Sequence, residues 1–402
     1  MLTVKSIDEV QGIIRNRFDS LRMPTESVAL EFAVGRCLAK PVIAAENVPD
    51  FNRSTVDGYA VIASDVFGCS EAIPALLNLV GEVAMGEHTS LQLAKGQCAY
   101  VHTGSELPTH SDAVVMLENA EDFADGTIAV NKPVAPGTNL IFRGDDVKAG
   151  QPVLPAGRRL NAGDIGSLAA VGIITLNVFQ SPRVAILSTG DELVAAGEPL
   201  PLGKIRDVNA PMLAAAITEA GGTPNFYGIL ADDENLIQET LAAAIPDCDL
   251  LLVSGSTSVG VKDAVPKVIS RLGELLVHGV AVKPGKPTIV GDIQGNPVFG
   301  LPGNPLAAYF MFHLFVRPLL FSLQGSAPQD DDVQVALNRA VPSNQGREEF
   351  IPVRLMDGAA DPIPAKSGLI TSLAIADGFI RIPRDTEGLP QGAQVQVIKF
   401  KR

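Results

Sequence analysis

Between residues 183 and 322, short apolar runs alternate with stretches of helical period, and this alternation narrows the possible folds more than any other feature of the chain. The strand-like runs are Val184–Leu187, Phe226–Leu230, Leu250–Val253, Leu276–Val282 and Val298–Leu301. Helix-like stretches fall near 209–220, 234–244, 263–272 and 305–321. Strands separated by helices require crossover connections, which are right-handed, and so predict a doubly wound, mostly parallel sheet covered on both faces. Ligands of such sheets bind outside the carboxyl ends of the strands. The loop after each strand is therefore where chemistry is to be sought.

Each of those loops is rich in Gly, hydroxyl, carboxylate or Lys. The first strand runs into Ser188-Thr-Gly-Asp-Glu-Leu193, which presents Thr189, Gly190, Asp191 and Glu192. The second leads to Ala231-Asp-Asp-Glu234, with Asp232. The third opens Ser254-Gly-Ser-Thr-Ser-Val-Gly260, with Ser254, Gly255, Ser258 and Gly260, and Asp263 three residues later. Lys283-Pro-Gly-Lys-Pro287 follows the fourth and carries Lys283, Gly285 and Lys286. The last strand ends in Pro302-Gly-Asn-Pro305, where Pro302, Gly303 and Asn304 precede a helix.

Gly-rich turns that open helices point unpaired N–H groups at anions, and the hydroxyls and lysines add donors and positive charge. The carboxylates of Asp191, Glu192, Asp232 and Asp263 would repel an anion unless a divalent cation lay between, the usual magnesium–phosphate arrangement. Taken singly, each loop reads as an ordinary turn or helix cap. Their placement at successive strand ends points to a site for a phosphorylated ligand, a nucleotide or pyrophosphate, together with a metal.

Composition limits the partners. With 31 basic and 45 acidic residues the net charge is −14, which leaves no basic footprint for nucleic acid. Any anion must be held locally. The 402 residues suffice for several domains, and 46% apolar content excludes general disorder. The start lacks the apolar core of a secretory signal, and Cys37, Cys69, Cys98 and Cys248 show neither CxxC nor histidine pairing. Reduced core thiols and a cytoplasmic location are expected. Ala307–Phe321, the most apolar stretch, is interrupted by His313, Arg317 and Pro318 and reads as a buried helix rather than a membrane span. His88, His102 and His110 stand at no metal-ligand spacing and read as solvated.

The rest of the chain changes texture. Ser6 and Glu9 form a capping-box pattern ahead of Ile7, Val10, Ile14 and Phe18, and a second helix is predicted from Thr25 to Gly35. Short β-like runs follow at Tyr59–Ala63, Ala99–Thr103, Ala113–Leu117 and Thr127–Val130. Helix returns at Ala162–Val171, stopped by Gly172. Beyond a polar linker, Val333–Leu337, Phe350–Leu355 and Val395–Phe400 predict a small all-β module. The expected class is α/β plus β: a discontinuous helical/β domain (1–45 with 147–178), a β-rich insert (46–146), the α/β domain (179–325) and a C-terminal small β-barrel (326–402).

Two segments of the insert complete a pattern. Phe51-Asn-Arg-Ser-Thr-Val-Asp-Gly-Tyr-Ala60 presents Ser54 and an Asp57-Gly58 turn, and Val101-His-Thr-Gly-Ser-Glu-Leu-Pro108 carries Thr103; by spacing alone both are turns. In one order, SxxDGYAV, HTGSELP, DAVVMLE, RGDD, STGDEL, SVGxxD, KPGKP and GLPGNP closely resemble the molybdopterin molybdenumtransferase family, the module also seen as the gephyrin E domain. The resemblance runs over nearly the whole chain. It implies an α/β domain of the molybdopterin-binding type and an elongated homodimer whose cleft lies between the α/β domain of one subunit and the insert of the other. It also implies insertion of molybdenum from molybdate into adenylylated molybdopterin, with release of AMP and with Mg²⁺. A molybdopterin adenylyltransferase is a candidate partner, and neither nucleic acid nor membrane is expected.

Carried over position by position, Asp57, Thr103, Asp146, Glu192, Asp232, Asp263 and Lys283 match catalytic cleft positions. Ser54, Arg143 and the Gly, hydroxyl, Lys286 and Asn304 groups of the loops become substrate-binding, and Asp191, Glu192 and Asp263 the metal set. The chain departs from the family pattern at Ile141-Phe142, at Gly279, at SGSTSVG and at Ala376-Asp-Gly378. Fewer cations at an anion site weaken it, which keeps open a tungstate-preferring paralogue and a non-catalytic pterin-binding scaffold; the resemblance of the α/β domain to molybdopterin adenylyltransferases keeps that activity open as a third alternative.

Overall fold

The computed structural model describes residues 4–255, 264–327, 332–363 and 371–400. The Ser6 hydroxyl accepts from the Glu9 amide while the Glu9 carboxylate accepts from the Ser6 amide, and this capping box starts the Ile7–Phe18 helix. Its apolar face does not pack within a separate N-terminal domain as expected. Ile7, Val10, Ile14 and Phe18 are buried in the core of the α/β unit with Val184, Leu250, Phe299 and Phe312. The second predicted helix is also corrected: Thr25–Ala29 is a strand paired antiparallel with Thr175–Phe179, and Leu30–Phe32 is one 3₁₀ turn. Pairing with a distant strand outweighs the weak helical preference of a five-residue stretch.

The central sheet has the order Thr223–Leu230, Arg183–Thr189, Leu250–Gly255, Asn296–Pro302, Ile289–Ile293, Glu274–His278. The first four are parallel neighbours. Ile289–Ile293, which the sequence reading missed, runs against both of its neighbours. Because Ile289 registers with Gly300 and His278 with Ile289, the loop joining the last two strands emerges at the same rim as the carboxyl ends of the parallel strands. Alternate residues bury on opposite faces. Ile186 and Leu252 join the core under the Asn209–Glu219 helix, whereas Leu187 and Val253 pack against helices Glu234–Ala244 and Ala264–Leu272.

Residues 305–323 form one long helix, Pro305–Met311 and Arg317–Leu323 joined by a π segment at Phe312–Val316. Pro318 supplies no N–H for the carbonyl of Leu314, four residues earlier. The Gln11 side chain donates to that carbonyl instead, at 3.3 Å, so the first helix repairs the break in the last. This helix is long and apolar enough to cross a membrane, but it is mostly buried within the protein.

The insert is a six-stranded sheet ordered Ala113–Met116, Gly58–Val61, Gln97–Val101, Ala75–Val83, Thr127–Val130, Ala120–Asp122. Its two connections to the rest of the chain meet at a Val48–Val147 bridge. Five C-terminal strands, Val333–Leu337, Glu348–Met356, Ala359–Pro362, Gly378–Ile382 and Gln394–Lys399, close into a small barrel through the pairing of Glu348–Met356 with Gly378–Ile382. Phe350, Phe379 and Phe400 of this barrel stack around Phe310 of the long helix. All four cysteines are buried and none is in a disulfide, with burial pushing the Cys98 thiol up to about 12.

Candidate functional site

Strand ends converge on a cavity of about 640 Å³ at the carboxyl rim of the central sheet. Thr189, Glu192, Ser254, Gly255, Gly303 and Asn304 line it, as the sequence reading placed them. The strands can close together because of Gly255. Its φ is 129°, and a Cβ there would lie 1.9 Å from the carbonyl oxygen of Thr189. The Asn304 side chain accepts from the Ala307 amide at 3.4 Å and so caps the long helix. Pro302 ends the neighbouring strand, its carbonyl turned to Asn209.

The turn after the first strand does not open a helix. Residues 193–194 and 205–206 form a parallel ribbon over the rim, and the helix begins only at Asn209. Asp191 Oδ1 accepts from the Asp232 amide at 3.2 Å, and Lys204 Nζ donates to the Asp191 carbonyl. The Glu192 carboxylate curls back over Gly190. Asp233, next to Asp232, caps the Glu234–Ala244 helix. Ser258, Gly260 and Asp263 lie outside the described residues.

The loop with Lys283 and Lys286 is fixed from two sides. The Lys5 amide donates to Gly279 and the Ala281 amide to Lys5, while Val282 and Lys283 pair with Glu348 and Glu349 of the barrel. Lys283 Nζ sits 2.9 Å from Glu349 Oε1. Gly285 packs its backbone on Met311, leaving no room for a side chain. Gly279 has φ 110°, a conformation that residues with side chains rarely adopt. Next to this loop lies a second cavity of about 560 Å³, bounded by Lys283, Arg339 and Glu349.

In the insert the structure brings Asp57 and Thr103 together: the Thr103 amide donates to Asp57 Oδ1 at 2.8 Å. His102, read as solvated, bridges two carboxylates, with Nε2 2.8 Å from Glu82 and Nδ1 3.8 Å from Asp57. Ser54 is buried, its hydroxyl donating to the Val56 carbonyl at 2.6 Å and accepting from the Val56 amide, so it shapes the Asp57 turn from within. Arg143 is held by Asp50 at 2.8 Å, and Asp146 is exposed in the following turn. No insert residue lines the rim cavity. Within one chain the two groups of predicted residues are thus separate.

Sequence reasoning missed Asp207 and Asn209, which lie at the start of the helix beyond the ribbon. Asn209 Nδ2 donates to Ser254 Oγ at 2.7 Å and to the Gly303 carbonyl at 2.9 Å, tying three loops together. Asp207 Oδ1 accepts from the amides of Asn209 and Ala210 at 3.0 and 3.1 Å. An Asp-x-Asn pair before an apolar helix is a capping signal that could have drawn attention to them.

For a divalent cation, no cluster of three acidic, His or Cys side chains with metal-holding geometry occurs among the described residues. The cavity does offer carboxylates at Glu192 and Asp207, and one Asp207 oxygen is buried without a partner. Magnesium often takes one or two protein carboxylates and completes its shell with water and phosphate, so the donor set fits.

Comparison with known proteins is consistent along the chain. Residues 5–172 match the family model described as MoeA N-terminal region (domain I and II), 185–322 a probable molybdopterin binding domain, and 334–400 the MoeA C-terminal region (domain IV). The molybdopterin molybdenumtransferase of Nostoc sp. is 34% identical over 98% of this chain and 94% of its own. That of Bacillus subtilis is 33% identical over 94% and 90%. The crystal structure of a molybdopterin biosynthesis moeA protein from Pyrococcus horikoshii OT3 superposes with a TM-score of 0.87 at 34% identity, covering 99% of this chain and all of the other.

Proposed function

Because this chain belongs to the molybdopterin molybdenumtransferase family, we propose that it inserts molybdenum from molybdate into adenylylated molybdopterin and releases AMP. The observation that carries this reading is the rim cavity, where Thr189, Ser254, Gly255 and Asn304 from three strand ends offer hydroxyl, amide and backbone groups to one ligand. Such a set suits phosphate oxygens. No histidine or cysteine stands among its described lining residues, which favours fixed electrostatics over a covalent nucleophile. A bound divalent cation would supply charge neutralisation at the diphosphate, with Asp191, Glu192 and Asp263 as the proposed ligands. Lys283, half-exposed beside Glu349, and Lys286 supply positive charge for the oxyanion.

Asp57, Thr103 and Asp146 enter through a second subunit: in a homodimer the partner's insert would cover the rim and complete the cleft. A cytoplasmic location and docking of a molybdopterin adenylyltransferase belong to the same proposal. The test is AMP release from adenylylated molybdopterin with molybdate and tungstate supplied in turn. Oxyanion-dependent release is expected. Binding of the pterin without release would identify a scaffold, and ATP-dependent adenylylation of free molybdopterin would identify an adenylyltransferase.

A further inference from the structure

Three buried side-chain oxygens on the strand and at the helix start that bound the rim cavity have no hydrogen-bond partners: Ser188 Oγ, Asp207 Oδ2 and Asn209 Oδ1. Asp207 and Asn209 line the cavity and are 4% and 5% exposed. Ser188 is in register with Ser254, to which Asn209 is bonded. A buried carboxylate without a counter-charge is strongly disfavoured. Yet no described Lys, Arg or His pairs with Asp207. Lys204 and Arg206 line the same cavity, but Lys204 Nζ is turned to the Asp191 carbonyl and Arg206 Nε to the Ala196 carbonyl.

The orientation of the Asn209 amide is fixed, since flipping it would sacrifice the bonds of Nδ2 to Ser254 and Gly303. Its Oδ1 therefore stays an acceptor. Both unpartnered oxygens expose less than 1 Å² to solvent, too recessed for a ring to reach, whereas a bare ion bonding at about 2.1 Å can settle on them. The two amides at the helix start offset part of the charge on Oδ1, and a buried water would add no opposite charge at Oδ2.

We propose that Asp207 Oδ2 and Asn209 Oδ1 form the protein half of a divalent-cation site in this cavity, with a donor set that shares no residue with Asp191, Glu192 and Asp263. The remaining coordination is left to water and to a ligand phosphate, the habit of magnesium. The inference goes beyond the transferase reading, because a cation bound here is detectable with neither pterin nor oxyanion present.

The test uses the full chain stripped of metal. Mn²⁺ is titrated by electron paramagnetic resonance, and thermal unfolding is followed with and without Mg²⁺. The wild type is expected to bind Mn²⁺ and to gain melting temperature with Mg²⁺. Asp207→Asn, which keeps the cap but removes the charge, should melt no lower than the wild type without metal. It should also lose roughly tenfold or more in Mn²⁺ affinity at one site and fail to respond to Mg²⁺. Glu192→Gln should keep that site. Asp207→Ser, which also caps, serves if the first variant folds poorly. A titration of Asp207→Asn that superposes on the wild type, no Mn²⁺ binding by the wild type at millimolar concentration, or loss confined to Glu192→Gln would each overturn the proposal.

Discussion

At the scale of single residues, His313 shows how burial dominates a side chain's behaviour. It lies among Tyr309, Phe312, Phe379 and Phe400 with neither ring nitrogen hydrogen-bonded. Burial, helped by nearby Arg317, pushes its pKa down to about 3. A folded-state pKa below the unfolded value means that the unfolded chain takes up the proton first as pH falls. The associated stability is complete above about pH 6.5 and is lost progressively towards pH 3. His313→Phe should flatten this acid limb, with a gain over the wild type of about 2 kcal/mol at pH 5, read by urea unfolding across the range. In the proposed cleft, Asp57→Ala and Lys283→Ala should each abolish molybdenum insertion while leaving the melting temperature within a few degrees; activity in either variant counts against the cleft assignment. Lys283 stood out because its loop is unusual in composition, whereas Asp57 reads by spacing as an ordinary turn and entered only through the family resemblance. Asp207, Asn209 and the His102 bridge stayed hidden because their importance comes from which neighbours they meet.

Elements were legible where one local signal decided them. The capping box read at Ser6–Glu9 starts a helix as capping physics requires, the structure adds a second at Asn161–Asp164, and the apolar runs of the α/β unit became strands. Thr25–Ala29 was misread because its partner lies some 150 residues away. Ile289–Ile293 was overlooked beside the Lys-Pro loop, although Gln294 and Gly295, both at positive φ, form the tight turn that marks a hairpin. The strand-end glycines yield a contrast. At Gly255 a Cβ would strike the Thr189 backbone, whereas at Gly303 the nearest atom is 3.6 Å away. Gly255→Ala should therefore cost about 1–3 kcal/mol and open the cavity wall, and Gly303→Ala should unfold close to the wild type; comparing their denaturation midpoints checks this.

For the whole molecule, the fold class could be read from sequence but the packing between its parts could not. Nothing local announces that the first helix joins the α/β core, or that aromatic rings of the barrel close around Phe310. Assembly is likewise beyond one chain: light scattering at micromolar concentration should show a dimer, and a monomer would remove the shared cleft. Deleting residues 334–400 should abolish AMP release although every described lining residue of the rim cavity is retained, because Glu348 and Glu349 hold the Lys283 loop; an active truncated protein would count against that support.

That tether also orders events in time. Glu348 and Glu349 are translated some 65 residues after Lys283, so on the ribosome the lysine loop emerges long before the strand it must pair with. A chain interrupted anywhere in between would expose the rim without its fixed cations. Competence for chemistry would arrive only once the barrel strand that holds this loop had been made.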